Sequence, residues 1–189
     1  MKSAVRPMTG DTPWLVVIDM QVIFGDRDSD WCTPDFDKIT PAVHRLIDAF
    51  GERVIYTRFI APESPEGAWV PYYKLWPFAL NAGHLNDMAA AFDTTGHAVI
   101  DCPTFGKWGQ ELEAAMGGSH EMVLVGVSTD CCVISTAIPA ADAGVHVRVV
   151  SDACAGLSRE DHQRALDTMA LFGPLIEVTT VDEVLESVP

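Results

Sequence analysis

The stretch MVLVGVSTDCCVISTAIPAADAG, Met122–Gly144, decides the fold. Met122–Val127 is a continuous apolar, valine-rich run, the pattern of a strand buried on both faces. A short polar turn follows. Cys132–Ala143 then reads as a helix, which Gly144 ends. A buried strand feeding a helix through a short turn is half of a parallel-sheet crossover. The same alternation continues in both directions. Upstream, Trp14–Ile18, Val54–Phe59 and Ala98–Ile100 read as strands. Thr40-Pro41 reads as an N-cap and first-turn proline opening a helix through about Phe50. Leu85–Phe92 and Trp108–Met116 read as further helices, and Ala61–Ala82 as one long loop. Downstream, Val145–Val150 and Ile176–Thr179 are strands. Arg159–Phe172 is a helix capped by Ser158, and Val181–Glu186 one capped by Thr180, with Glu183 completing a capping box. The expectation is one α/β domain over residues 1–189 with a mostly parallel sheet.

The bulk numbers narrow the function classes. The 189 residues are 48% hydrophobic and 21% charged, with a net charge of −15. Such a chain can bury a sizeable core and repels nucleic acid and anionic membranes. No apolar run reaches the ~20 residues of a membrane span, and Met1–Thr12 lacks the charged-then-apolar pattern of a secretory signal. The cysteine count is five, with no C-x-x-C spacing. A disulfide framework and a zinc site are therefore not expected, and a reducing cytoplasm is.

Ligands of parallel sheets gather beyond the carboxyl ends of the strands. Three features meet that edge. Asp19, in LVVIDMQ, directly follows the first strand, where a carboxylate loses hydration and becomes a better base. Taken alone, it reads equally well as a turn cap. Cys131 and Cys132 stand where a helix begins, and unpaired N–H groups and the helix dipole there favour a nucleophilic thiolate and can hold an oxyanion. Adjacent helical residues diverge by ~100°, so one thiol faces the cleft, and the pattern leaves open which. Lys107, in CPTFGKWGQEL, is one of four lysines, with Lys2, Lys38 and Lys74. It falls between a short strand and a helix at the same edge, where it would stabilise both anions.

Together these residues resemble the isochorismatase-like cysteine hydrolases, which include nicotinamidases and N-carbamoylsarcosine amidase. The resemblance runs through LVVIDMQ, YTRF, GVSTDCCVISTA and AADAGVHVRVVSDACAG, nearly the whole chain. It implies a three-layer αβα fold with six parallel strands in the order 3-2-1-4-5-6. It matches Cys132 to the nucleophile, because the family cysteine directly precedes a valine, and leaves Cys131 as a packing neighbour. It implies an Asp19–Lys107–Cys132 triad acting through a thioester, and an oxyanion hole from the backbone N–H groups of Ser128 and Cys132. It also implies a cis peptide at Val127–Ser128. The chain departs from the family in places. DMQVIF lacks the Asn and Asp of the usual DMQNDF but keeps Gln21 and Phe24. Cys102 occupies the usual lysine slot, with Lys107 five residues later. TRFIAP offers no Asp-x-His pair, so neither metal nor cofactor is expected. Pro139 removes the helical bond to the Ser135 carbonyl and is expected to kink its helix.

The expected activity is hydrolysis of a C–N bond in a small amide, lactam or carbamoyl compound. Gln21, Phe24, Trp69, Tyr72, Trp76 and Trp108 are the expected substrate-binding residues, and the family implies a homodimer or homotetramer. The aromatics of the long loop could equally fill a subunit interface. Two other readings are a binding protein that kept the fold and a redox protein using both adjacent thiols, which a strained disulfide makes unattractive.

Overall fold

The computed structural model describes residues 12–187. Among them, six strands form: β1 (Trp14–Ile18), β2 (Val54–Phe59), β3 (Ala98–Cys102), β4 (Glu121–Val127), β5 (His146–Ala155) and β6 (Ile176–Thr179). They pair in parallel in the order β3-β2-β1-β4-β5-β6. Alternation along the strands assigns the two cores. Leu15 and Val17 point to one face, Val16 and Ile18 to the other, and all four are fully buried. The first face is covered by helices α2 (Phe36–Phe50) and α7 (Val181–Ser187), whose Val43, Leu46 and Val184 belong to the same buried cluster as Leu15 and Val17. The second is covered by α4 (Gln110–Ala115), α5 (Ile134–Asp142) and α6 (Arg159–Ala170), through Leu112, Ala137 and Leu166. Two short helices, α1 (Val22–Gly25) and α3 (Trp69–Leu75), lie beyond the carboxyl edge of β1 and β2.

Several boundaries differ from the sequence reading for physical reasons. Helix α2 starts at Phe36, because Phe36, Ile39, Val43, Leu46 and Phe50 form one buried stripe. Thr40 therefore does not cap. Its hydroxyl donates back to the Phe36 carbonyl at 3.0 Å, and Pro41 sits in the second turn. Leu85–Phe92 is not a helix. A 3₁₀ turn covers Gly83–Asn86, and the chain then pairs with the segment after β1, through Ala89 N–H to the Met20 carbonyl at 2.9 Å. The long loop contains α3 and a 3₁₀ turn over Pro77–Asn81. The N-caps of both C-terminal helices form: Asp161 N–H donates to Ser158 Oγ, and Thr180 N–H to Glu183 Oε2.

Strand β4 contains a position that only glycine fills. Gly126 has φ +110°, and a Cβ there would lie 2.1 Å from the Ile18 carbonyl oxygen of β1. The β4–β5 register shifts beside it. Gly126→Ala is expected to cost about 2–4 kcal/mol, from left-handed strain plus a backbone clash, measured by urea denaturation.

Candidate active site

β1 and β4 are neighbours at the point where the strand order reverses, so the residues following them face one crevice. Asp19 follows β1 with φ 50°, a conformation that aspartate tolerates better than most residues. Thr57, in the middle of β2, holds it twice. Its hydroxyl donates to Asp19 Oδ1 at 2.7 Å and accepts from Asp19 N–H at 3.3 Å. Oδ1 is thereby occupied and Oδ2 is left to the crevice. Oδ2 has no hydrogen-bond partner in the protein and pairs with the Lys107 ammonium at 3.0 Å, with both side chains fully buried.

Lys107 reaches that position although it lies five residues beyond Cys102. Its backbone N–H donates to Thr136 Oγ1 at 2.9 Å, and Thr136 Oγ1 donates to the Cys132 carbonyl at 2.7 Å. Gly106 lies directly on α5, since a Cβ there would sit 2.5 Å from the Ser135 carbonyl oxygen. That is the carbonyl whose helical partner Pro139 removes. α5 nonetheless runs unbroken through Pro139. The lysine Nζ donates to the Thr104 carbonyl at 2.8 Å and lies 5.1 Å from the centre of the Phe59 ring. Burial pulls the Lys107 pKa down, but the charge of Asp19 beside it outweighs burial and the net shift is upward.

Cys132 sits in a short π turn, Thr129–Val133, ahead of α5. The N–H groups of Cys131 and Val133 both donate to the Ser128 carbonyl at 3.1 Å, and the Val127–Ser128 peptide is cis. The turn is fastened from behind by Thr129 Oγ1 to His162 Nδ1 at 2.8 Å and by Leu157 N–H to Asp130 Oδ1 at 3.1 Å. The sequence reading expected the helix start to favour a thiolate. The balance runs the other way: burial first, then the Asp19 charge, pushes the Cys132 thiol well above its ordinary value, against the pull of Lys107.

Cys132 opens on a cavity of about 250 Å³ that Cys131 and Ser128 also border. That is small beside the roughly 300–1,000 Å³ of pockets for drug-sized ligands. Among the described residues, no three His, Cys, Asp or Glu side chains cluster to hold a metal ion, and no helix is long and apolar enough to cross a membrane.

The isochorismatase domain model matches residues 13–183 of the sequence. The chain belongs to the isochorismatase-like hydrolase family. Two curated relatives share shorter stretches. Isochorismatase domain-containing protein 2 of Xenopus laevis is 41% identical over 66 residues, 35% of this chain and 31% of the relative. Isochorismatase domain-containing protein 1 of Danio rerio is 34% identical over 105 residues, 53% of this chain and 36% of the relative. The match thus spans about a third of each relative's length. Solved structures are similar over most of the chain. A cysteine hydrolase from Pseudomonas syringae pv. phaseolicola superposes with TM-score 0.82 at 20% identity, covering 97% of this chain and 95% of that one. The N-carbamoylsarcosine amidase of Thermoplasma acidophilum gives 0.73 at 21%, covering 90% and 97%. The pyrazinamidase of Pyrococcus horikoshii, solved with zinc, gives 0.70 at 24%, covering 89% and 98%. At these identities the likeness is one of fold.

In this isochorismatase-like chain, Asp19 and Lys107 pair directly, and the Cys132 thiol feels both charges. The expected substrate-binding residues divide. Phe24, Tyr72 and Trp76 line the cavity. Gln21 does not. It is fully buried, and its amide accepts from Phe59 N–H and donates to the Phe59 and Asn86 carbonyls, tying β2 to the loop beyond β1. Trp69 packs behind the wall against Tyr72, Tyr73 and Phe105. Trp108 precedes α4 and is not among the residues that line the cavity. Sequence reasoning missed Trp31, Phe59, Phe105, Asp30, Thr33 and Leu157, which also line the cavity. An available signal was Trp31 itself, an isolated tryptophan in the polar run DRDSDWCTP just beyond the first strand.

Proposed function

We propose that the protein is a cysteine amidohydrolase that cleaves a C–N bond in a small amide, lactam or carbamoyl substrate. The observation that carries this reading is the buried Asp19–Lys107 pair at 3.0 Å, placed beside the Cys132 thiol that borders a small cavity. The carbonyl carbon of the substrate meets Cys132 Sγ while Asp19 takes the thiol proton. The ammonium of Lys107 stays in place and offsets the carboxylate charge before transfer. The backbone N–H groups of Ser128 and Cys132 are the proposed donors to the oxyanion. Collapse breaks the C–N bond, Asp19 returns the proton to the leaving nitrogen, and a thioester remains. Water, deprotonated by Asp19, then hydrolyses it and regenerates the thiol.

The test is ammonia or amine release from nicotinamide, carbamoyl amino acids and bicyclic lactams, with EDTA as a metal control and mass spectrometry of the acylated enzyme. An acyl adduct on Cys132 supports the reading. Strong inhibition by EDTA counts against it. A binding protein that has lost catalysis is the alternative, and the intact Asp19–Lys107 pair weighs against that. A homodimer or homotetramer remains our proposal for the assembly, to be read from sedimentation.

Thr57 is a positioning residue in this scheme. Thr57→Val keeps the shape of the side chain but removes the hydroxyl that orients Asp19. The expected result is a kcat about 10-fold lower with KM little changed, since a hydrogen bond to a charged group is worth about 1.5–3 kcal/mol.

A further inference from the structure

The walls of the cavity carry more information than its floor. Trp31 is the hub of an aromatic cluster. Its ring stacks on Phe24 at 6.2 Å and meets Phe59 at 5.5 Å, Tyr72 at 6.1 Å and Trp76 at 6.2 Å. Phe105 also lines the cavity and stacks on Phe59 at 6.4 Å. Burial pushes the Tyr72 phenol up to about 12, so its ring stays neutral. Among the described residues, no lysine, arginine or histidine lines the cavity. Lys107 is fully buried and already spent on Asp19.

Two polar groups border this aromatic wall. Asp30 is exposed at the rim and makes no ion pair or hydrogen bond among the described residues. Thr33 is 1% exposed, borders the same cavity, and its hydroxyl has no partner in the protein. A buried hydroxyl without a partner is costly. A carboxylate and a hydroxyl can both accept from an ammonium, and the faces of tryptophan and tyrosine attract cations. A carboxylate-bearing substrate would meet no counter-charge and would face Asp30.

We propose that this cavity selects amides that carry a small organic cation, such as a protonated amine, over neutral and anionic ones, with Asp30 and Thr33 as acceptors and the Trp31 cluster as the cation-binding wall. This rests on the amidohydrolase reading for the word amide, but the binding preference is separate from turnover.

The test uses the Cys132→Ala protein, which reads binding alone. Benzylammonium, benzyl alcohol and benzoate are titrated at pH 7.5 with tryptophan fluorescence and calorimetry. Benzylammonium is expected to bind at least about 10-fold more tightly than either, with a preference that weakens as salt is added. Asp30→Asn in the same background should reduce the preference over benzyl alcohol to within about 3-fold. Equal binding of the three probes, tighter binding of benzoate, no binding of any, or a preference that survives Asp30→Asn overturns the proposal. The two readings fail separately. Amide turnover by the unaltered protein with no cation preference overturns this one alone. A cation preference without turnover of any amide leaves it standing and sinks the hydrolase.

Discussion

Cys132→Ala is expected to lower amide turnover by about 10⁴-fold or more while the protein stays folded. The proposed reaction runs through a covalent bond to Sγ, and no neighbouring group can replace it. Cys131 borders the same cavity, but its thiol is directed to Asp130 Oδ2 at 3.9 Å. Truncating one buried sulfur should cost only about 1 kcal/mol of stability, so circular dichroism and urea denaturation separate lost chemistry from lost structure. The thiol state offers a second readout. Since burial and Asp19 hold the Cys132 pKa high, its alkylation by iodoacetamide should climb steadily from pH 6 to pH 9. A flat profile would mean a preformed thiolate, and with it a different division of labour between Asp19 and Lys107.

Lys107→Met is expected to carry the largest stability effect, about 3–5 kcal/mol at pH 7, together with loss of activity. The variant leaves the fully buried Asp19 carboxylate without its ammonium. The pH dependence follows from the upward shift of Lys107. A lysine whose folded value exceeds its ordinary 10.5 stabilises the protein fully below 10.5, and the contribution disappears as pH rises through the folded value. The gap between the unaltered protein and Lys107→Met should therefore be whole at pH 7 to 9 and shrink above pH 10.5. Adding Asp19→Asn to Lys107→Met should restore part of the stability and none of the activity, since the orphaned charge is then gone. If Lys107→Met unfolds no more easily than the parent, the pair is not buried as described.

The sheet was legible because its signal is redundant. The central strands β1 and β4 are apolar runs that need cover on both faces, and β1, β2 and β6 have the bounds their hydropathy implies. Helix ends were less legible. Thr40-Pro41 has the local chemistry of a helix start, yet the stripe from Phe36 to Phe50 gains more from burial than a cap provides. Leu85–Phe92 has a helical composition, but its backbone is taken by the segment after β1. At the site, Asp19, Lys107 and Cys132 stood out because each is a charged or reactive group at a strand end. The cavity wall was harder to read, because side chains that meet there come from α1, the loop beyond it, β2 and α3. Nothing local distinguishes Trp76, which lines the cavity, from Trp69, which supports it from behind. Gln21 was misplaced for a related reason. A buried amide at a strand end looks like a ligand group until its backbone partners are known.

The fastening of Gly106 and Lys107 to α5 has a consequence for divergence among related chains. The lysine is located by where its backbone lands, on Ser135 and Thr136, and not by the number of residues since β3. The link between Cys102 and Thr104, here the single residue Pro103, can then lengthen without moving the ammonium, provided a glycine still fits against a helix carbonyl that proline has set free. A pattern search keyed to spacing would score such a chain as having lost its lysine, whereas one keyed to the Gly-Lys pair and the Ser-Thr-x-x-Pro step of the facing helix would find it.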